Sequence, residues 1–310
     1  MDTPTDVSII IPSYKSKKTL GQCLASLANQ NTEYTYRVIV VHSGPEPIDA
    51  DVRSSFDSVL FQTTSERWLP AKARNWAINA TQSQWLLFLD SDCVVGKDWI
   101  QGMLNAALKY KADGVGGGIQ NGSRKNLFSW VMHVLEFAKW LPGGSPRHCQ
   151  NIPTCNALYR RSVLVELNGF PEDIFPCEDT VLNYFLINKG YNLFFAPDCV
   201  VQHVRERDFL GIIRYNYDFG YAYGYACQKY QMPGNFLTRL PGPIFIPAVV
   251  LGRMIGIFLR LFPYHPLEAA AYLIGFPAIL GGLISWAAGF VKGSHSSSRT
   301  AIIVDGKLLS

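Results

Sequence analysis

The sequence predicts an α/β fold built on a mostly parallel sheet. Short, continuously hydrophobic runs alternate with helix-spaced segments between Val7 and Val201. The runs are also apolar at consecutive positions, without the polar alternation of a strand that has one wet face. Strands apolar on both sides are those covered by helices on both sides, as in parallel sheets. Alternation of this kind implies βαβ units.

Each element follows from its residues. The β-branched run 7–11 ends at Pro12, which cannot continue a ladder. Residues 19–29 have helical spacing, with Leu20, Cys23, Leu24 and Leu27 on one face. A second buried strand, 37–41, stops at Ser43-Gly44-Pro45, and 57–61 reads as a third, weaker strand. Residues 71–80 predict a helix and 85–89, Trp-Leu-Leu-Phe-Leu, the next strand. The glycine-rich stretch 113–122 lacks GxGxxG or Walker spacing, so it is read as a short strand with glycine turns rather than a phosphate cradle. An amphipathic helix carrying Phe128, Trp130, Phe137 and Trp140 is expected over 126–141, closed by Pro142-Gly143-Gly144.

The totals exclude some classes. A length of 310 residues allows one large domain or two smaller ones, and a net charge of +4 from dispersed lysines and arginines argues against nucleic acid as a partner. The polar start and the short apolar run 7–11 do not make a signal peptide. Seven scattered cysteines with no CxxC pair read as reduced thiols. A cytosolic catalytic part is expected.

Asp90-Ser91-Asp92 follows the apolar run 85–89 directly. In extended backbone, residues i and i+2 point the same way, so both carboxylates would face the crevice beyond the strand ends, where open α/β sheets bind ligands. Two hard oxygen ligands suit Mn2+ or Mg2+ holding a diphosphate. The same tripeptide is also ordinary turn composition.

After about Leu240 the composition becomes apolar. Residues 243–262, interrupted by Arg253 and Arg260, and 267–291 are each long enough to cross a hydrocarbon core of ~30 Å, which takes ~20 residues. The connection 263–266 suits a helical hairpin, and Arg239 before it with Lys292 and Arg299 after it favour both ends in the cytosol. Arg253 is costly in mid-span. The first segment lying in the interface, or both segments as soluble core helices, are the alternatives. The expected organisation is a catalytic domain over 1–239, with halves of about 1–112 and 113–239, two hydrophobic membrane helices in 240–292, and a polar cytosolic tail over 293–310.

One ordered set of segments resembles a family 2 glycosyltransferase with the GT-A fold. It comprises 7–14 (VSIIIPSY), Ala73-Arg74-Asn75-Trp76-Ala77-Ile78, Asp90-Ser91-Asp92, Tyr159-Arg160-Arg161-Ser162, Asn168-Gly169-Phe170, Cys177-Glu178-Asp179-Thr180 and Ala196-Pro197-Asp198. The resemblance covers roughly 7–205 and implies a membrane-associated, metal-dependent, inverting enzyme. Such an enzyme moves one sugar from a nucleotide-diphosphate donor to a lipid-linked or glycan acceptor. It assigns the metal to Asp92 with Asp90 and His203, and the nucleotide to the Pro12-Ser13-Tyr14 turn, His42, Arg74, Asp90 and Asn156. The pair Glu178-Asp179 is catalytic, with Asp179 as base; Asp179 also suits a helix start. Arg74 has the alternative role of pairing a carboxylate. His42 stands where the family commonly has an aspartate, and no Gln-x-x-Arg-Trp signature of polymerising members is present. Arg214, among Tyr215, Tyr217, Tyr221, Tyr223 and Tyr225, suggests a basic-aromatic face near acceptor or headgroups. Other readings are a non-catalytic scaffold relative, and a nucleotidyltransferase using Lys15, Lys17 and Lys18.

Overall fold

The computed structural model describes residues 5–123, 126–235, 242–298, 300–304 and 307–309. Arg239 and Arg299, invoked for topology, lie outside them. The chain forms two compact units: residues 1–120, 140–172 and 182–204 in the first, and 121–139, 173–181 and 205–310 in the second. This division differs from halves meeting near residue 112, because strands from later in the chain return to complete the first sheet.

The first unit opens with β1 (Val7–Ser13), α1 (Leu20–Leu27), β2 (Tyr36–Ser43), α2 (Ala50–Ser55), β3 (Leu60–Thr64), α3 (Pro70–Ala80), β4 (Trp85–Leu89), β5 (Cys93–Val95) and α4 (Trp99–Lys109). Strand β6 (Gly114–Asn121) follows, and helix α5 (Leu127–Phe137) belongs to the second unit. Next come β7 (Arg147–Cys149), β8 (Asn156–Arg160) and α6 (Arg161–Glu166), then the two-residue β9 (Ile174–Phe175), α7 (Glu178–Asn188) and β10 (Leu193–His203).

The large sheet runs in the order β3-β2-β1-β4-β8-β6-β10-β5, with β7 paired to β10. Its first four strands are parallel, and Ile10 registers on both Ile39 and Phe88. Strand β8 pairs antiparallel with both β4 and β6, and β10 antiparallel with β5. The α/β sheet flanked by helices is thus as expected, with an antiparallel side added. Phe88 sits edge-on to Tyr159 and Phe170, inside a core that includes Ile10, Ile39, Leu86 and Leu186. The third strand starts at Leu60, three residues beyond the expected start.

Gly114, Gly116, Gly117 and Gly118 lie inside β6 rather than in turns, and Gly122 falls just past its end. A Cβ on Gly117 would run into the carbonyl oxygen of Cys199 and the amide of Asn156, one on Gly118 into the carbonyl of Pro197, and one on Gly116 into Ile152. They are therefore close-approach glycines.

The second unit holds α5, β9, α8 (Phe209–Lys229), α9 (Gly242–Leu261), α10 (Pro266–Ile274), α11 (Phe276–Ser294), β11 (Ala301–Val304) and β12 (Lys307–Leu309). The apolar stretch expected as one helix over 267–291 breaks at Gly275, between α10 and α11. A Cβ at Gly275 would strike Val131 of α5. Among the described residues, only α11 is long and apolar enough by composition to cross a membrane, and half of that span is buried in the protein.

The partner of α11 is α8. The Ser285 hydroxyl donates to the Ile213 carbonyl at 2.7 Å, and the Tyr221 hydroxyl lies 2.7 Å from that of Ser296. Between them, Gly220 and Gly224 of α8 face the carbonyls of Trp286 and Phe290, while Gly289 and Gly293 of α11 face those of Tyr217 and Tyr221. Reciprocal glycines let the two backbones meet. The α8 tyrosines consequently turn inward: Tyr221 and Tyr225 are buried, and Tyr215 donates to Glu136 at 2.7 Å beneath the guanidiniums of Arg205 and Arg207. Of the basic-aromatic face expected there, Arg214 is exposed and Tyr215, Tyr217 and Tyr223 are half-buried. Nor is the tail free, because β11 pairs with β12 and lies parallel to β9.

Gly117→Ala should destabilise the protein by about 2 kcal/mol through overpacking. An unchanged melting temperature by circular dichroism would rule out the close approach of β6 to β10.

Candidate functional site

Asp90-Ser91-Asp92 forms a tight turn between β4 and β5, closed by the Cys93 amide donating to the Asp90 carbonyl at 3.0 Å. The expectation of extended backbone, with both carboxylates facing one point, does not hold. The chain folds back here because β5 must reach β10, so the turn sends the two side chains to different partners.

Asp90 is tied to the fold. Its Oδ1 accepts from Arg74 Nη2 at 3.0 Å, and Arg74, on α3, is 3 % exposed. The guanidinium also lies 5.5 Å from the Phe170 ring centre. A buried guanidinium needs an anion, so Arg74 takes its carboxylate-pairing role.

Asp92 meets the end of β10. Register places His203 opposite Cys93, the Val204 amide donates to the Asp92 carbonyl at 2.7 Å, and His203 Nε2 stands 3.5 Å from Asp92 Oδ1. Asp92, Cys93 and His203 offer ligand atoms within 4.8 Å of one another, and Asp90 is outside this group. Burial pushes the Cys93 thiol well above its ordinary range. A protonated thiol is a poor ligand, so the usable donors are one carboxylate and one imidazole. That set fits Mn2+ better than Mg2+, since magnesium prefers oxygen donors.

The end of β1 presents a second cluster. His42 Nε2 lies 2.7 Å from the Glu46 carbonyl oxygen, which can only accept, so Nε2 carries a proton. In the neutral ring, Nδ1 then accepts from the Ser13 hydroxyl at 2.8 Å, and Ser13 receives from Ser16 at 2.6 Å. His42, Ser13 and Ser16 are buried. The nucleotide-reading role expected of His42 and of the Ser13 side chain is not supported, because both are spent holding the turn. Beside them the half-buried Tyr14 carries the Arg67 guanidinium 4.5 Å from its ring centre, with Pro12 partly exposed next to it. Arg67 was not singled out from the sequence; its position three residues past β3 carries no motif.

Asn156 is 0 % exposed. Its two N–H groups go to the carbonyls of Gly118 and Cys199 at 2.9 and 2.8 Å, and its oxygen accepts from the Trp99 indole at 2.9 Å. It clamps three strands, so the side chain expected to line the ligand pocket has its polar atoms engaged inside the sheet.

In the second unit, Glu178 and Asp179 open α7. Glu178 is buried and Asp179 half-exposed, with Asp179 Oδ1 accepting from the Thr180 amide at 2.6 Å. The preceding Cys177 has φ +101°, a left-handed conformation that costs a non-glycine residue about 1–3 kcal/mol.

These features place acidic residues at the strand ends of an α/β sheet with an antiparallel side. The chain belongs to the family described as glycosyl transferase family 2, whose model matches residues 8–167. An N-acetylglucosaminyltransferase of Mesorhizobium japonicum is 28 % identical over 226 residues, 64 % of this chain and 51 % of that protein. A poly(ribitol-phosphate) beta-glucosyltransferase of Bacillus spizizenii is 27 % identical over 211 residues, 65 % of this chain and 32 % of that protein. The chain thus spans about half the length, or less, of these curated relatives. Among solved structures, a Pyrobaculum calidifontis mannosyltransferase in complex with GDP-Man and Mn2+ aligns over 93 % of this chain and 87 % of its own, with TM-score 0.57 and 17 % identity. S. aureus TarS in complex with UDP aligns over 98 % and 95 %, with TM-score 0.52 and 15 % identity. Both likenesses concern the fold.

Asn156→Ala should cost about 1–3 kcal/mol, because it leaves buried carbonyls and an indole unpaired. A normal melting temperature with a raised donor KM would restore the ligand role. Cys93 should stay unlabelled by iodoacetamide at pH 8 in the native protein, since burial holds its thiol protonated; rapid native labelling detected by mass spectrometry would contradict this.

Proposed function

We propose that this protein transfers a single hexose from a nucleoside-diphosphate sugar to an acceptor hydroxyl, with inversion at the anomeric carbon. The observation that carries the reading is Asp92 beside His203 at the end of a family 2 sheet, next to the Arg74–Asp90 ion pair. Asp92 and His203 would hold a divalent cation, Mn2+ by donor preference. When bound, the ion neutralises charge on the departing diphosphate.

The chain's own residues do the rest. Asp179 accepts the proton of the acceptor hydroxyl, the acceptor oxygen bonds to the anomeric carbon, and the bond from that carbon to the diphosphate oxygen breaks. Attack opposite the leaving group gives inversion. Asp179 is half-exposed and its carboxylate is oriented by the Thr180 amide, which suits a base open to acceptor. Glu178, the other carboxylate of the pair, is buried. Tyr14, with Arg67 over its ring, offers the nucleotide base a stacking face, with Pro12 at its edge.

The relatives' names, an N-acetylglucosaminyl- and a glucosyltransferase, support a hexosyl donor. A lipid-linked or polymeric glycan acceptor agrees with the exposed apolar helices of the second unit, which favour work at an inner or plasma membrane. Seven free cysteines, five of them buried, suit a catalytic face toward the reducing cytosol. A non-catalytic scaffold would not need a half-exposed carboxylate on strained backbone.

Detergent-purified protein, offered a panel of nucleotide sugars with Mn2+, should release nucleoside diphosphate from one donor. Chelator should abolish release, Asp92→Ala should reduce it at least about a hundredfold, and Asp179→Asn by about 10²–10⁴-fold. Unchanged turnover in Asp179→Asn would sink the base assignment. Absence of donor binding by calorimetry would favour the scaffold.

A further inference from the structure

Helix α9 is built inside out. Leu251, Ile255, Phe258, Leu259 and Phe262 recur at helical spacing and are all exposed, Leu251 by 58 % and Leu259 by 64 %. The opposite face, Val250, Ile257 and Leu261, is buried, and the Arg253 guanidinium lies 4.2 Å from the Trp286 ring centre of α11. Helix α10 continues the apolar surface with Leu267 and Ile274, 62 % and 70 % exposed. An apolar face this continuous marks an interaction site.

Charge selects the occupant. Glu268 is the one acid between residues 242 and 294, against Arg253, Arg260 and Lys292. Arg253 and Arg260 also lie close enough to Lys139 to weigh on its ammonium, whose pKa burial, first, and these two cations lower. Arg253 is spent on Trp286, so the exposed cation of α9 is Arg260: a second copy would set it against its own twin, whereas anionic headgroups neutralise it. Tyr264, 79 % exposed between α9 and α10, is an amphipathic ring suited to the headgroup level.

Packing selects the orientation. Helix α11 is locked along α8 by the reciprocal glycines, and α8 exposes Arg214, Gln228 and Lys229. Carrying α11 through a bilayer would draw Arg214 into hydrocarbon, which is strongly unfavourable. With α11 held out, α9 packed on α11 lacks a partner for a spanning hairpin.

We infer that α9 and α10 form a monotopic docking face that lies flat in the headgroup region of an anionic bilayer, in place of the expected transmembrane hairpin. The inference deepens the membrane placement proposed above and rests on it. Exposed apolar residues enter the acyl boundary, and Arg260, whose Nη1 donates to the Gly256 carbonyl at 2.7 Å, stays at headgroup level.

The test uses the full chain with Cys149→Ser and Cys199→Ser, since the other thiols are buried. Nitroxides are placed one at a time at 251, 258 and 262 on vesicles of phosphatidylglycerol and phosphatidylcholine. Depth is read from oxygen and nickel-chelate accessibility. Residues 251 and 262 stand about 16 Å apart along a helix axis. A flat helix gives all three the same shallow depth, and Leu251→Glu/Leu259→Glu lowers vesicle partitioning at least tenfold with unaltered circular dichroism. A depth gradient with 251 deepest would overturn the inference in favour of a span. Absent vesicle binding would overturn it too, and a dimer broken by the same variants would assign the face to a second copy. Donor hydrolysis in detergent needs no bilayer, so Leu251→Glu/Leu259→Glu should retain it; loss of hydrolysis in the parent protein would count against the transferase reading alone.

Discussion

The antiparallel pairing of β10 with β5 is the constraint on which the site depends. Three register pairs, Val201 to Val95 through His203 to Cys93, bring a late strand against the short strand that follows Asp92. The Val204 amide on the Asp92 carbonyl extends the ladder to the turn itself. Without this pairing the edge strand β5 would have nothing to fold back onto, and Asp90-Ser91-Asp92 would have no reason to turn. The same register sets the imidazole beside one carboxylate and leaves the other to Arg74. Two acidic residues that look equivalent in sequence thus acquire separate work.

Around this pairing the buried polar groups form closed sets. Ser16, Ser13, His42 and the Glu46 carbonyl make one chain, and Trp99, Asn156 and the carbonyls of Gly118 and Cys199 another. Satisfied networks in a low-dielectric interior rigidify what they hold. Ser13, His42 and Asn156 shape the site from behind. In the first unit Tyr14 and Asp92 stay half-buried, with Arg67 stacked on the tyrosine and His203 beside Asp92. The divalent cation that Asp92 and His203 suit matches the chemistry of a departing diphosphate, the hardest charge in the proposed reaction to stabilise.

Glycine serves close approach twice, with different consequences. In β6 it lets a strand pass under Asn156 and the β10 backbone, which tightens the sheet that carries the site. Between α8 and α11 it brings two helix backbones together, which ties the long apolar helix α11 to one with charged ends. The second contact keeps α11 beside the protein and turns the apolar residues of α9 and α10 outward. An exposed apolar surface then arises from packing geometry more than from hydropathy.

Much of the first unit was legible in the sequence. The buried strands 7–11, 37–41 and 85–89, the helix around Ala73 and Arg74, and the order of the family's motifs follow from local patterns, because apolar runs and periodic faces are properties of consecutive residues. The identity of the acidic turn and of the Glu178-Asp179 helix start was readable for the same reason. The partners were not. Arg74 for Asp90, Ser13 for His42, and two strands and a helix for Asn156 are choices between residues distant in sequence, and composition gives them no weight; His203 for Asp92 came only with the family resemblance. The apolar C-terminal stretches show the limit most clearly. Sequence determined that they are helical and hydrophobic, while only the tertiary structure decided which face is covered, because burial depends on which backbone a glycine allows to come near.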